Sequence, residues 1–179
     1  MTMLDIVGFA QELGFTEAAP ITADMVVTSK ELAASCNPNA CRKYASCWTC
    51  PPGAGTFEEL QPNIRTKSAG VIVQTLRDDI DYYIDWELLE ETRNAHNERL
   101  DRLTAAIREE FTGVLEFSTG GCDLCESCTY PDAPCRKPVL HRQSLSAHGV
   151  AVGTTCKNAG LDYSFKNGSV RFVGMVLHD

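Results

Sequence analysis

The sequence predicts an α+β fold of mixed α/β character. The expected form is a single compact domain, residues 1–179, with a small mixed sheet, one long amphipathic helix and two cysteine-rich metal-binding loops. Three observations carry this reading. Apolar residues recur at helical spacing from 85 to 111, and no proline interrupts them. Apolar, β-branched runs lie at 71–76, 114–118 and 170–177, separated by helical patterns. The nine cysteines fall into two groups of four, in segments 36–52 and 120–138, with one outlier. A chain of 179 residues buries roughly 70% of the surface its unfolded form exposes, enough for a true core.

Along the chain, Thr2 is placed to cap a first helix marked by Leu4, Val7, Ala10 and Gln11, with Gly14 as its stop. Residues 15–27 read as a short strand and then a turn containing Pro20. Ser29 caps one helical turn over 30–35. After Pro51-Pro52-Gly53, the run Thr56-Phe57-Glu58-Glu59 has the form of a capping box and starts a short helix. Residues 71–76 read as a buried strand. The long helix, 85–111, carries its stripe on Trp86, Leu89, His96, Leu100, Leu103, Ile107 and Phe111, and Gly113 ends it. A strand at 114–118 delivers the chain into Gly120-Gly121-Cys122. Residues 154–159 read as a helix stopped by Gly160. Asn167-Gly168, between Tyr163-Ser164-Phe165 and 170–177, has the signature of a hairpin turn.

Sixteen basic against 24 acidic side chains leave a net charge of -8. Such a chain repels phosphate backbones, and its basic residues do not cluster, so nucleic acid is not an expected partner. No apolar run approaches the roughly 20 residues of a membrane helix. The N-terminus has no basic region ahead of an apolar stretch, so a cytoplasmic location is expected. There disulfides are rare and clustered cysteines more often hold metal.

The second group is Cys122-x2-Cys125-x2-Cys128-x6-Cys135. Three cysteines at successive short spacing suit a tetrahedral zinc poorly, because zinc sites usually join two close pairs across a longer excursion. A [4Fe-4S] cluster is larger, and three thiolates on one tight loop reach three of its corners, with the fourth ligand arriving from further along. Here that ligand is Cys135, with Pro138 nearby, while Gly120-Gly121 leaves backbone room beside the group. Zinc is the alternative metal.

The first group is Cys36-x4-Cys41-x5-Cys47-x2-Cys50-Pro51-Pro52. Its spacing matches neither zinc nor ferredoxin patterns closely, yet four cysteines so near one another need a shared explanation. A second cluster is the preferred reading. Structural zinc, or three ligands and a spare thiol, remain open.

Cys36, Cys41, Tyr44 and Trp48-Thr49-Cys50-Pro51-Pro52, followed by Gly121-Cys122-x2-Cys125-x2-Cys128, Cys135-Arg136-x-Pro138 and the stretch 144–149, resemble a known family. It is domain of unknown function 2284, small predicted metal-binding proteins of iron–sulfur type, found largely in anaerobic bacteria and archaea. The resemblance spans about residues 30–160 and implies cysteine-bound metal. In that family the position of Cys47 is often not cysteine, in a Tyr-Gly-x-Ser-Trp-like run, whereas here the run is Tyr44-Ala45-Ser46-Cys47-Trp48. The fourth ligand of the first site is therefore open between Cys47, the substitute Cys156, another side chain or a substrate.

Other residues have plainer readings. Cys156 is expected as a small buried residue. His141 and His148 could ligate or shuttle protons but read more simply as packing or surface groups, as do His96 and the terminal His178. Tyr44, Trp48 and Tyr130 are expected to pack around a metal site, and Arg42, Lys43, Arg136 and Lys137 to offset its negative charge. The acidic run Asp78, Asp79, Asp81, Asp85, Glu87, Glu90 and Glu91 offsets a helix dipole or docks a basic redox partner protein. No radical-SAM cysteine run, phosphate loop, dinucleotide fingerprint or His-Glu-x-x-His helix is present. The sequence thus points to an iron–sulfur protein with two [4Fe-4S] clusters, serving electron transfer or acting as a redox module. A cluster-dependent reductase with an open iron and a zinc-stabilised binding module are its competitors.

Overall fold

The computed structural model describes residues 4–164 and 166–179. Helix α1 (Ile6–Glu12) begins at Asp5, whose side chain accepts the Gly8 N–H, and stops before Gly14 at φ +91°. The expected cap, Thr2, lies outside the described residues. Strand β1 (Glu17–Ile21) follows and contains Pro20, which therefore sits in a strand and not in a turn. An edge strand tolerates proline because the missing N–H need not face a neighbour, and β1 is the sheet edge.

The caps at α2 and α3 form as their sequences require. Ser29 accepts the Leu32 N–H at the start of α2 (Lys30–Ala34). Thr56 and Glu59 cap each other's backbone at α3 (Phe57–Leu60), and α4 (Pro62–Arg65) follows directly. Strand β2 (Ala69–Asp78), helix α5 (Trp86–Glu110) and strand β3 (Leu115–Ser118) then build the centre. Strand β4 (Gln143–Ser144), helix α6 (Val152–Asn158) and strand β5 (Ser169–His178) complete the chain.

The five strands are ordered β1-β2-β5-β3-β4. All neighbours are antiparallel except β3 and β4, so the sheet is mixed and the fold is α+β. Strand β5 pairs with β2 from Ala69↔His178 to Asp78↔Ser169. The hairpin expected at Asn167-Gly168 does not form: Tyr163 and Ser164 are outside any strand, and Phe165 lies outside the described residues. The reason is that β5 is central. Its one edge is filled by β2 and its other by β3, with Thr119 Oγ1 donating to the Val173 carbonyl at 2.9 Å beyond β3. The approach to β5 is held by a side chain instead, Arg171 donating to Ser164 O at 3.2 Å and Asp162 O at 3.1 Å.

Strand alternation sends apolar groups to both faces. Val71, Val73 and Val176 pack with Ala10, Phe15, Leu100, Leu103 and Ile107 under α1 and α5. Ile72, Phe117, Val173, Met175 and Leu177 pack on the other face with Ile64, Leu145, Val150 and Cys156. Gly174 faces α5: a Cβ there would stand 2.8 Å from Leu100 Cδ2, so glycine sets how near the helix lies. The helix stripe is buried at His96, Leu100, Leu103 and Ile107, but Trp86 is exposed. The first turns of α5 therefore extend past the core. Among the described residues no helix is long and apolar enough to cross a membrane.

Both β2 and β3 run antiparallel to β5 and so point the same way, but β2 ends opposite Ser169 and β3 already opposite Gly174. The second cysteine segment leaves β3 at that level, while α5 follows the turn beyond the end of β2.

Candidate metal centre

Cys122, Cys125, Cys128 and Cys135 all line one cavity, together with Trp48 and His141. The loop that carries them is fastened by its own cations, Arg136 donating to Ser127 O at 2.9 Å and Lys137 to Leu124 O at 3.2 Å. Burial pushes the Cys122 thiol up, opposed by backbone N–H groups of Leu124 and Arg142 aimed at its sulfur. None of the nine cysteines is in a disulfide.

In the first group, Cys47 and Cys50 are buried, Cys36 is half-buried and Cys41 is exposed. The sulfurs of Cys50 and Cys47 lie over Gly121, where a Cβ would stand 3.0 and 3.2 Å away from them. Gly121 is thus needed for the close approach of the two cysteine segments. A hydrogen bond from the Cys50 thiol lowers Cys47 to about 5, helped by the Thr49 hydroxyl and the N–H groups of Thr49 and Cys122. The same contact pushes Cys50 upward, as do burial and the charges of Cys47, Cys41 and Cys36. Cys50 thus lies within the influence of the other three thiols of its group, and Cys36 within that of Cys41.

Several further residues join the segments. Thr49 Oγ1 accepts the Cys122 N–H at 3.1 Å and lies 3.7 Å from Cys47 Sγ. Trp48 Nε1 donates to Ala133 O at 3.2 Å, and its ring meets Tyr130 edge-on at 4.9 Å. Gly53 lies under Tyr130, whose ring carbon is 2.7 Å from where a Cβ would be. Arg142, itself buried, pairs with Asp101 of α5 at 2.5 Å, Glu116 of β3 at 2.9 Å and Asp123 of the second segment. Asn97 donates to Asp123 at 3.2 Å and accepts from Ser118 at 2.9 Å. One guanidinium thus fixes the second cysteine loop to both sheet and helix. Sequence reasoning missed Thr49, Asn97, Asp123 and Arg142. The one available signal was that Thr49 and Asp123 sit beside cysteines.

Among the described residues, no three His, Cys, Asp or Glu side chains converge closely enough to hold a single metal ion. The four cysteines of the second segment line one cavity instead. Free thiols gathered in this way are a soft donor set, suited to zinc or iron–sulfur rather than to magnesium or calcium. A family model described as "Predicted metal-binding protein (DUF2284)" matches residues 19–178. The chain belongs to this family. The match includes both cysteine groups, so metal binding is the property the family assigns to a DUF2284 chain. No curated protein and no solved structure matches the chain.

The remaining candidates of this DUF2284 protein divide by position. Cys156 is fully buried in the core, packed among apolar side chains on the sheet face opposite α5, where burial pushes its thiol up. His141 lines the cysteine cavity; its Nδ1 is buried without a partner and its Nε2 is 2.7 Å from Gln143 Nε2. His148 is a packing residue, donating through Nδ1 to Ser144 O at 2.9 Å against the edge of Phe117. His96 is buried with Nδ1 2.8 Å from Thr75 Oγ1, and His178 stacks on Phe111 at 4.0 Å. Tyr44 is held by its backbone, its N–H donating to Asn39 Oδ1 at 2.9 Å.

Proposed function

We propose that this protein binds two [4Fe-4S] clusters and carries electrons, with Cys122, Cys125, Cys128 and Cys135 holding one cluster and Cys36, Cys41, Cys47 and Cys50 the other. The observation that supports the reading is that all four cysteines of the second segment line one cavity. A cube of iron and sulfide is wider than one ion and accepts a thiolate at each iron, which suits such an arrangement. Backbone N–H groups directed at Cys122 and Cys47 favour the thiolate form those positions need.

When bound, such clusters supply one-electron transfer. This chain's own residues would do the rest. Trp48 and Tyr130 limit water at the cavity, and Arg136 and Lys137 place positive charge beside the thiolates. Arg142 holds the loop in register through Asp123. A redox partner protein would take the electron.

One observation favours a second reading, a cluster-dependent reductase. A groove bordered by Trp48, Asn63, Pro131, His141 and Gln143 opens against Cys135, giving a small molecule room beside the cavity. Anaerobically purified protein should show broad visible absorption that bleaches with dithionite. Cys135→Ser should diminish the absorption and Cys156→Ser should leave it intact. A colourless protein containing zinc would replace both readings with a zinc-stabilised binding module.

A further inference from the structure

We propose that the turn at 79–86 and the first turns of α5 form a docking surface for a basic protein whose contact face centres on an apolar pocket. Four large side chains stand out from the surface in this short stretch: Tyr82 is 68% exposed, Tyr83 92%, Ile84 73% and Trp86 64%. They are not a loose tail. Asp81 Oδ1 accepts the Tyr83 N–H and Asp85 Oδ2 accepts the Asp81 N–H, each at 2.8 Å. Ile80 anchors the turn as a buried residue, its N–H donating to Gly168 O at 3.1 Å. The Tyr82 and Tyr83 rings meet edge-on at 5.6 Å. A turn so braced presents its aromatic groups already ordered, which lowers the cost of burying them against a partner.

Charge identifies the partner. Residues 78–91 contain seven carboxylates, Asp78, Asp79, Asp81, Asp85, Glu87, Glu90 and Glu91, and no lysine or arginine. Two grooves meet at Trp86, Glu87 and Glu91, one also bordered by Asp85 and the other by Glu90 and Glu98. Exposed aromatic groups beside acidic grooves match lysines or arginines ringed around an apolar centre, with the cations also able to lie over the exposed rings. A second copy of this chain would set the same carboxylates against themselves across a two-fold contact. Anionic membranes and nucleic acid meet the same repulsion.

The surface is also well placed. It follows the end of β2 opposite Ser169, and β3, which points the same way, hands the chain to the second cysteine segment opposite Gly174, five residues along β5. That the basic partner exchanges electrons rests on the cluster reading; that it is basic does not.

The test titrates cytochrome c, a small basic haem protein, into the full chain by calorimetry at low salt. Saturable binding that weakens as salt rises is expected. Glu87→Gln with Glu91→Gln should weaken it about tenfold, while Glu12→Gln with Glu109→Gln, an equal change in net charge elsewhere on the surface, should alter it less than about twofold. Tyr83→Ser alone should weaken it about fivefold. Absent binding, equal losses from the two glutamate pairs, or indifference to Tyr83→Ser would each overturn the proposal. Binding with this pattern, but no haem reduction by the reduced and desalted protein, would count against electron transfer and leave the docking surface standing.

Discussion

Thr49 Oγ1 accepts the Cys122 N–H at 3.1 Å, so a single buried hydroxyl joins the two cysteine segments across 73 positions of sequence. Its proton is then free to point toward Cys47 Sγ, 3.7 Å away. Thr49→Val keeps the shape and removes both contacts, leaving the Cys122 N–H only the Cys47 sulfur as acceptor. A loss of about 1–3 kcal/mol in urea unfolding is expected, with lowered metal content, whereas Thr49→Ser should retain both properties. Unchanged stability and metal content in the valine variant would show that the segments are aligned by other means.

Arg142 is the buried cation on which three carboxylates converge. Burial, and then the charge of Asp101, raise the Glu116 carboxyl above its ordinary value, and Arg142 opposes that rise. Arg142→Met leaves Glu116 buried without its partner, at an expected cost of about 3–5 kcal/mol near neutral pH. Without Arg142 the carboxyl rises further above its value of about 7, so the part of the deficit owed to its charge should shrink as pH falls to about 7 and stay level below it. Urea midpoints at several pH values would check both the size and the sign.

His96 gives the fold an acid limit. Burial first, then the charges of Arg99 and Arg142, lowers it from 6.5 to about 3. Between those values the unfolded chain binds the proton that the folded chain refuses, so stability falls as pH drops through this window. His96→Asn keeps a polar atom near the Nδ1 position, where Thr75 bonds, and removes the titration. Its stability should be flatter between pH 6.5 and 3 than that of the parent. A parallel decline in both proteins would assign the acid sensitivity elsewhere.

Gly174 and Leu100 set the distance between sheet and helix. A Cβ on Gly174 would come 2.8 Å from Leu100 Cδ2 and 3.2 Å from His96 Nε2, both buried. Gly174→Ala should therefore cost about 1–3 kcal/mol. In a Leu100→Ala background most of that added cost should vanish, because the space has been opened. Additive losses would show that the clash lies with the backbone or with His96.

Local chemistry was legible in the sequence wherever the deciding atoms are neighbours along the chain. The Thr56–Glu59 capping box, the Ser29 cap and the periodicity of α5 are all settled within a few residues. Pro20 and the expected hairpin misled for one reason. A strand's place in the sheet depends on partners far away in sequence: β1 is an edge and β5 is central. The exposed Trp86 belongs to the same class, since periodicity shows a stripe but not where the core beneath it ends. At the candidate site, spacing picked out the cysteines, and the four of the second group do line one cavity. The groups that position them, Thr49, Asn97 and Arg142, act through contacts with segments remote in the chain, so local sequence does not show their roles, although Thr49 lies beside a cysteine.

The most direct test of the central claim is iron, zinc and acid-labile sulfide per chain in protein purified without oxygen. Two four-iron clusters predict about eight iron and eight sulfide, with little zinc. Zinc without sulfide would contradict the account and make the cysteine segments structural.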